Sequence, residues 1–225
     1  MNAAWLPLTT LATSLFAAVI IFSLPEEARG VRTYINLLAA VAKILLVIVM
    51  VGRVSEGYED TFSFQIVGGV DFVLRADALG VMFAGLSSLL WLCTTIYAIG
   101  YLEGAANRKR FFGFFSLCVT STLGIALSGN LFTFLIFYEM LTLSTYPLVV
   151  HAGSAKALAA GRVYLRYTLT AGVVLLQSAM PVAVFNYLFA ALHGNRPEEV
   201  AGLVVVSTAL SFATLPFLLA VVLPG

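Results

Sequence analysis

The chain has 225 residues, of which 61% are hydrophobic and 10% charged, with a formal net charge of +1. Soluble domains carry about 25% charged residues, so a water-soluble core is excluded and a polytopic membrane protein is expected. A nearly neutral chain with no basic patch also argues against nucleic acid as a partner.

Hydropathy predicts seven membrane-spanning helices, over residues 5–24, 33–51, 79–102, 111–128, 131–150, 157–188 and 200–223. The expected fold is therefore an all-α, polytopic transmembrane helical bundle, with 1–225 as a single membrane domain. The first helix follows Met-Asn-Ala-Ala with no positive segment ahead of it. It is read as a retained helix and not as a cleaved signal peptide.

Between the second and third helices lies one long polar connection, residues 52–78. Residues 61–67 alternate polar and apolar side chains, Gly68-Gly69 follow, and residues 70–74 again favour a strand. This pattern predicts a small β-hairpin at the membrane surface. The third helix carries Cys93 and the fourth Cys118, without a CxxC or metal spacing. Both are expected to be small buried thiols, with no cofactor and no bound metal. The link Ser128-Gly129-Asn130 is so short that helices four and five should form a tight antiparallel pair.

Arg29, Arg32, Arg108, Lys109, Arg110, Lys156 and Arg162 fall on one side of this topology, and Arg53, Arg75 and Arg196 on the other. The positive-inside rule makes the first side cytoplasmic. The N-terminus and the hairpin are then extracytoplasmic and the C-terminus cytoplasmic.

Glu139 stands out. It lies near the middle of residues 131–150, a stretch with no other charge. A carboxylate at that depth costs roughly 2.5–3.5 kcal/mol on the insertion scale. Intramembrane acids mark ion or proton pathways, since water, a cation or a bound proton must offset that cost. The alternative is a structural carboxyl, protonated or paired with a neighbouring helix.

Lys43 lies well inside the second helix. It is either a snorkelling side chain or a partly desolvated member of a relay. Arg162 and Arg166, four apart, share a face of helix six; Arg162 is the better candidate for a cation acting on the acid. His151 could pass protons at the cytoplasmic entrance, with Lys156 beside it, although a loop histidine is often plain surface. His193 is assigned nothing. Arg75, Asp77 and Glu103 flank the third helix as interfacial charges, and Pro147 and Pro181 could kink helices five and six.

Several motifs resemble the proton-translocating antiporter-like subunits of respiratory complex I and of the multi-subunit, Mrp-type Na⁺/H⁺ antiporters. Phe-Val-Leu-Arg-Ala-Asp-Ala-Leu-Gly (72–80) is similar to the segment entering their third helix. Tyr101-Leu102-Glu103 with Arg110-Phe111-Phe112 resembles the next junction. Asn130-Leu131-Phe132 through Phe137-Tyr138-Glu139 and Thr142-Leu143-Ser144-Thr145-Tyr146-Pro147 is the most specific match. Arg162-Val163-Tyr164-Leu165 resembles the start of helix six. The resemblance covers about residues 70–194 and is closest in flavour to the Mrp type and its relatives in hydrogenase-linked complexes.

That resemblance implies a bacterial inner-membrane subunit, working with other membrane subunits of an antiporter or a respiratory or hydrogenase-type complex. It implies protons as the cargo, with Na⁺ in the antiporters, and Glu139 as the central proton carrier. It places residues 111–223 as a partial first repeat, where family members have about fourteen helices in two repeats. Ser211 stands where the family carries a helix-seven lysine, five residues before Pro216. A complete two-repeat proton path within this one chain is therefore not expected. The rival reading is a structural or assembly subunit that keeps the fold without pumping; redox chemistry, in either case, would come from partners.

Overall fold

The computed structural model describes residues 3–67, 70–104 and 107–179. In chain order it contains α1 (Trp5–Ser23), α2 (Arg29–Ser55), β1 (Asp60–Val67), β2 (Val70–Ala76), α3 (Ala78–Tyr101), α4 (Arg108–Ala126), α5 (Leu131–Val149) and α6 (Ala155–Ala179). The chain divides into two compact units, Met1–Gly172 and Val173–Gly225. Of the second unit only the last turns of α6 are described. The expected seventh helix, Pro181, His193, Arg196 and Ser211 lie outside the described residues.

Among the described residues, α1, α2, α3 and α5 are long and apolar enough to cross a membrane. The other two helices carry three basic residues each, Arg108, Lys109 and Arg110 in α4 and Lys156, Arg162 and Arg166 in α6. Which side chains are buried tells the same story. Along α3 five of the seven buried residues are small or polar, Gly80, Ala84, Ser88, Thr95 and Ala98, beside Val81 and Trp91, while Phe83, Leu86, Leu89, Leu90 and Ile96 face outward. Small and polar residues inside with large apolar ones outside are the pattern of helices packed in lipid, where close backbone approach replaces hydrophobic collapse. The chain is a multi-pass membrane protein, mostly helical, with one small hairpin.

That inversion explains one departure from expectation. Cys93 is exposed on α3 and Cys118 only half-buried on α4, both free. An apolar run in this chain leads to the lipid-facing surface as readily as to the interior.

α4 is the central helix of the first unit, packed against α1, α3 and α5. Glycines allow this closeness. A Cβ at Gly113 would stand 2.6 Å from the Phe22 ring of α1, and one at Gly80 would stand 2.5 Å from the carbonyl oxygen of Ala126. A Cβ at Gly124 would collide with the ring of Phe137 on α5.

The hairpin forms as the alternation predicts, pairing Asp60 with Ala76 through Val67 with Val70, with an irregularity between Gln65 and Val67. It also clamps the α4–α5 link. Arg75 N donates to Leu127 O (2.7 Å) and Gly129 N to Val73 O (2.8 Å). Asn130 Nδ2 donates to Asp71 O (2.7 Å), and Val73 N to Thr133 Oγ1 (2.8 Å). Asn130 caps α5 as well, its side chain accepting from Thr133 N at 2.8 Å.

At the same end of the bundle, Asp60 is buried and gathers three donors: Ala3 N (2.8 Å), Arg53 Nη2 (2.7 Å) and Arg53 Nε. The Arg53 hydrogen bonds hold the Asp60 carboxyl below the usual carboxylate range, against the opposing effect of burial, with help from the Ala3 backbone N–H. The opposite end carries Arg32, Arg108, Lys109 and Arg110. There Lys109 N donates to Glu26 Oε1 (3.2 Å) and Arg110 Nη2 to Pro147 O (3.3 Å). Arg108 Nη2 donates to Ile99 O (3.2 Å).

Candidate functional site

Glu139 is half-buried on α5, nine residues past the Asn130 cap. At 1.5 Å per residue it stands ~13 Å along the helix, near the middle of a ~30 Å hydrocarbon core. Its carboxyl lies directly against α6 at Gly172: a Cβ built there would overlap Glu139 Oε1 and stand 3.0 Å from its carboxyl carbon. The same Cβ would also come within 3.3 Å of the Tyr138 ring. Tyr138 itself stacks on Phe134, with ring centroids 6.1 Å apart. Gly172 therefore makes the space the acid occupies. Among the described residues no hydrogen bond or ion pair reaches the Glu139 carboxyl.

Toward the basic end, the α4–α5 interface turns polar. Cys118 Sγ lies 3.4 Å from both Ser144 Oγ and Thr145 Oγ1. The α5–α6 corner closes around another glycine, Gly161, where a Cβ would meet Tyr146 Cε2 at 2.8 Å. Ser154 caps α6 by accepting from Ala157 N (3.1 Å).

The sequence-predicted residues do not converge on one point. Arg162 is exposed on α6, and ten residues separate it from Gly172, ~15 Å along the helix. Lys156 is exposed in the first turn of α6. His151 is half-buried at the α5–α6 link, edge-on to Phe111 with ring centroids 5.7 Å apart. Its Nδ1 is buried without a hydrogen-bond partner among the described residues.

Lys43 is fully buried and does not snorkel. Its Nζ donates to Ser14 Oγ of α1 at 2.5 Å and sits 4.8 Å from the centre of the Trp91 ring of α3. It is thus set in the α1–α2–α3 interior, whereas Glu139 lies at α5–α6.

Sequence reading passed over Gly172, Ser14, Asn36, Ser116 and Thr120. The signal for the polar ones was present: Arg32, Asn36 and Lys43 recur at helical spacing in an apolar span, as do Ser116 and Thr120.

With the geometry in place, comparison with known proteins identifies what the chain is similar to. No family model matches it. Over 138 residues it is 26% identical to the Na(+)/H(+) antiporter subunit A1 of Staphylococcus aureus, an alignment covering 58% of this chain and 17% of that protein. Its fold matches a chain of the Mrp complex from Dietzia sp. DQ12-45-1b, with a TM-score of 0.64 and 21% identity over 93% of this chain and 40% of that one. It also matches a chain of the membrane-bound sulfane sulfur reductase, an archaeal respiratory membrane complex. There the TM-score is 0.65 with 14% identity, over 79% of this chain and 36% of that one. The chain spans about a sixth of the length of its curated relative and well under half of either structural match. The resemblance to Mrp-type antiporter-like subunits is borne out by a sequence relative and by the fold.

Proposed function

We propose that the chain is a membrane subunit of a multi-subunit cation/proton antiporter, or of a related proton-pumping complex, in which Glu139 takes up and releases the translocated proton. The observation that carries this reading is the position of Glu139: an acid at mid-depth, seated against a glycine of the next helix, in the fold shared with a chain of the Mrp complex. An apolar residue there would spare ~2.5–3.5 kcal/mol of insertion cost.

In this reading the hairpin and N-terminus face the extracytoplasmic side of a bacterial inner membrane. The end carrying Arg108, Lys109, Arg110, His151 and Lys156 faces the cytoplasm, and seven helices cross the bilayer. His151 and Lys156 form the entrance. Arg162 is the cation that biases the acid, acting at a distance and not by ion pairing; Lys43, the other cation the sequence offers, lies apart in the α1–α2–α3 interior. At an effective dielectric near 20 a pair at ~4 Å is worth about 4 kcal/mol, and the effect falls as the separation grows. Coupling then comes from changes in the separation between cation and carboxyl. Partner membrane subunits complete the path and supply any Na⁺ exchange or redox chemistry.

Infrared difference spectroscopy of the assembled complex tests the role of Glu139. A carboxylic-acid C=O band that appears and disappears with pH, and is lost in Glu139→Gln, is the expected result. No change between wild type and Glu139→Gln would favour the rival, a subunit that holds the complex together without carrying protons. That rival draws on one observation, that no cation touches Glu139 among the described residues.

A further inference from the structure

A second set of buried polar groups runs through the first unit, and Glu139 has no part in it. It starts in the first turn of α2, where Arg32 is 2% exposed although its partner Glu26 in the preceding loop, 3.9 Å away, is 44% exposed. One turn on, Asn36 donates Nδ2 to Arg32 O (3.3 Å) and accepts from Ser116 Oγ of α4 (3.1 Å). Thr120 Oγ1 lies 3.0 Å from Ser116 O and 2.8 Å from Ser14 Oγ. Ser14 in turn accepts from Lys43 Nζ. Asn36, Ser116, Thr120, Ser14 and Lys43 are all 0% exposed.

These groups follow one another through the interior, Thr120 joining Ser116 at its main-chain carbonyl, and then the set stops. From Arg32 to Lys43 is eleven residues of α2, ~16 Å, about half of a ~30 Å hydrocarbon core. Past Lys43 the next buried positions on α2 are Val47 and Met50, which join Leu6, Leu11, Leu123 and Leu127 in one apolar cluster. Polar groups therefore lead in from the basic end, and an apolar cluster closes the hairpin end, with the Thr10 hydroxyl beside it turned to Leu6 O and Met50 Sδ.

At the end of the line the lysine has a single hydrogen-bond acceptor and an aromatic face. Ser14 of α1 is that acceptor and Trp91 of α3 that face; Arg108 apart, the other polar side chains buried on the neighbouring helices are hydroxyls, Thr10, Ser88, Thr95, Ser116 and Thr120 among them. Among the described residues no carboxylate or histidine faces it, and the nearest charge on its own stripe is Arg32. A buried cation left without a carboxylate costs several kcal/mol. Hydroxyls, which accept and donate at one oxygen, can hand a proton along.

We propose that Lys43 is a proton-binding site in its own right, loaded and emptied from one face of the membrane only, the face that carries Arg32 and Arg108. The proton enters from the basic end, where Arg32, Asn36 and Ser116 make the approach polar, is handed by the Thr120 and Ser14 hydroxyls to the neutral amine, which becomes the ammonium, and leaves by the same route. The proposal rests on the reading of the chain as a proton-handling membrane subunit, but not on Glu139.

The protein supplies its own reporter. It has two tryptophans, Trp5 and Trp91, so Trp5→Phe leaves only the ring that faces the Lys43 amine. The full chain carrying Trp5→Phe is placed in oriented vesicles, and Trp91 emission is followed as pH is stepped on each side in turn. The expected result is a reversible emission change for steps at the basic end and none for steps at the hairpin end. Lys43→Met abolishes it, as does Lys43→Arg, whose guanidinium keeps its proton. Thr120→Val slows the response without reducing its final amplitude, and Glu139→Gln leaves it intact. A response that survives both Lys43 variants, that follows pH at the hairpin end, or that is missing throughout overturns the proposal. Loss in Glu139→Gln would overturn the independence of the two sites, whereas an intact response beside an inert Glu139 would remove only the Glu139 relay.

Discussion

Gly172→Ala offers a sharp test of where the acid sits. The added methyl falls inside contact distance of Glu139 Oε1 and 3.0 Å from its carboxyl carbon. Restoring a contact of about 3.5 Å forces the carboxyl to retreat by more than ~1 Å. Overpacking of this kind costs ~1–3 kcal/mol, and alanine returns about 0.8–1 kcal/mol of helix propensity over glycine. The net loss of stability is therefore small, about 0–2 kcal/mol. Transport is more sensitive, since a displacement of ~1 Å at a reacting group can cost up to about 100-fold in rate. The assay pairs thermal unfolding of the complex with proton flux in vesicles, using Gly100→Ala as control, because a Cβ there meets nothing within 4 Å. Flux down about tenfold or more, with unfolding little changed and the control unaffected, is the expected outcome. Wild-type flux in Gly172→Ala would refute the placement of the carboxyl against α6.

Other consequences concern the frame around the site. Asp60 has a folded-state pKa below its unfolded value of about 3.9, so its pairing stabilises the fold above that pH and is lost as pH falls through the lower, folded value. Asp60→Asn should lower Tm at neutral pH and flatten the acid limb of a Tm-versus-pH curve. Gly129→Ala brings a Cβ to 2.5 Å from Val73 Cγ1, which should loosen the hairpin from the α4–α5 link and cost ~1–3 kcal/mol, seen as faster proteolysis within 60–76. Cys93, exposed on the outer face of α3, should react in vesicles with an apolar maleimide much faster than with a charged one; equal rates would contradict a lipid-facing α3.

Much of the fold was legible because a bilayer imposes simple rules. Apolar length alone located α1, α2, α3 and α5, and the alternation over 61–67 with Gly68-Gly69 located the hairpin to within two residues. Side-chain facing was less legible. Cys93 was expected inside because its neighbours are apolar, yet in lipid apolar neighbours also define the outside. Glu139 announced itself by cost, the one charge in a run of twenty residues, but Gly172 did not, since a helical glycine reads as neutral until its opposite number is known. Lys43 was visible, whereas its partners were not: a serine in α1 and a tryptophan in α3 are joined to it only by packing. The hairpin's clamp on the α4–α5 link was equally hidden, because it rests on backbone groups that every residue carries.

The most direct test of the account is proton flux in vesicles containing the assembled complex, comparing wild type, Glu139→Gln and Glu139→Asp at matched protein content. Collapse of flux in Glu139→Gln, with partial retention in Glu139→Asp and unaltered assembly, is the predicted result. Unchanged flux in Glu139→Gln would contradict it and leave the chain a structural member of its complex.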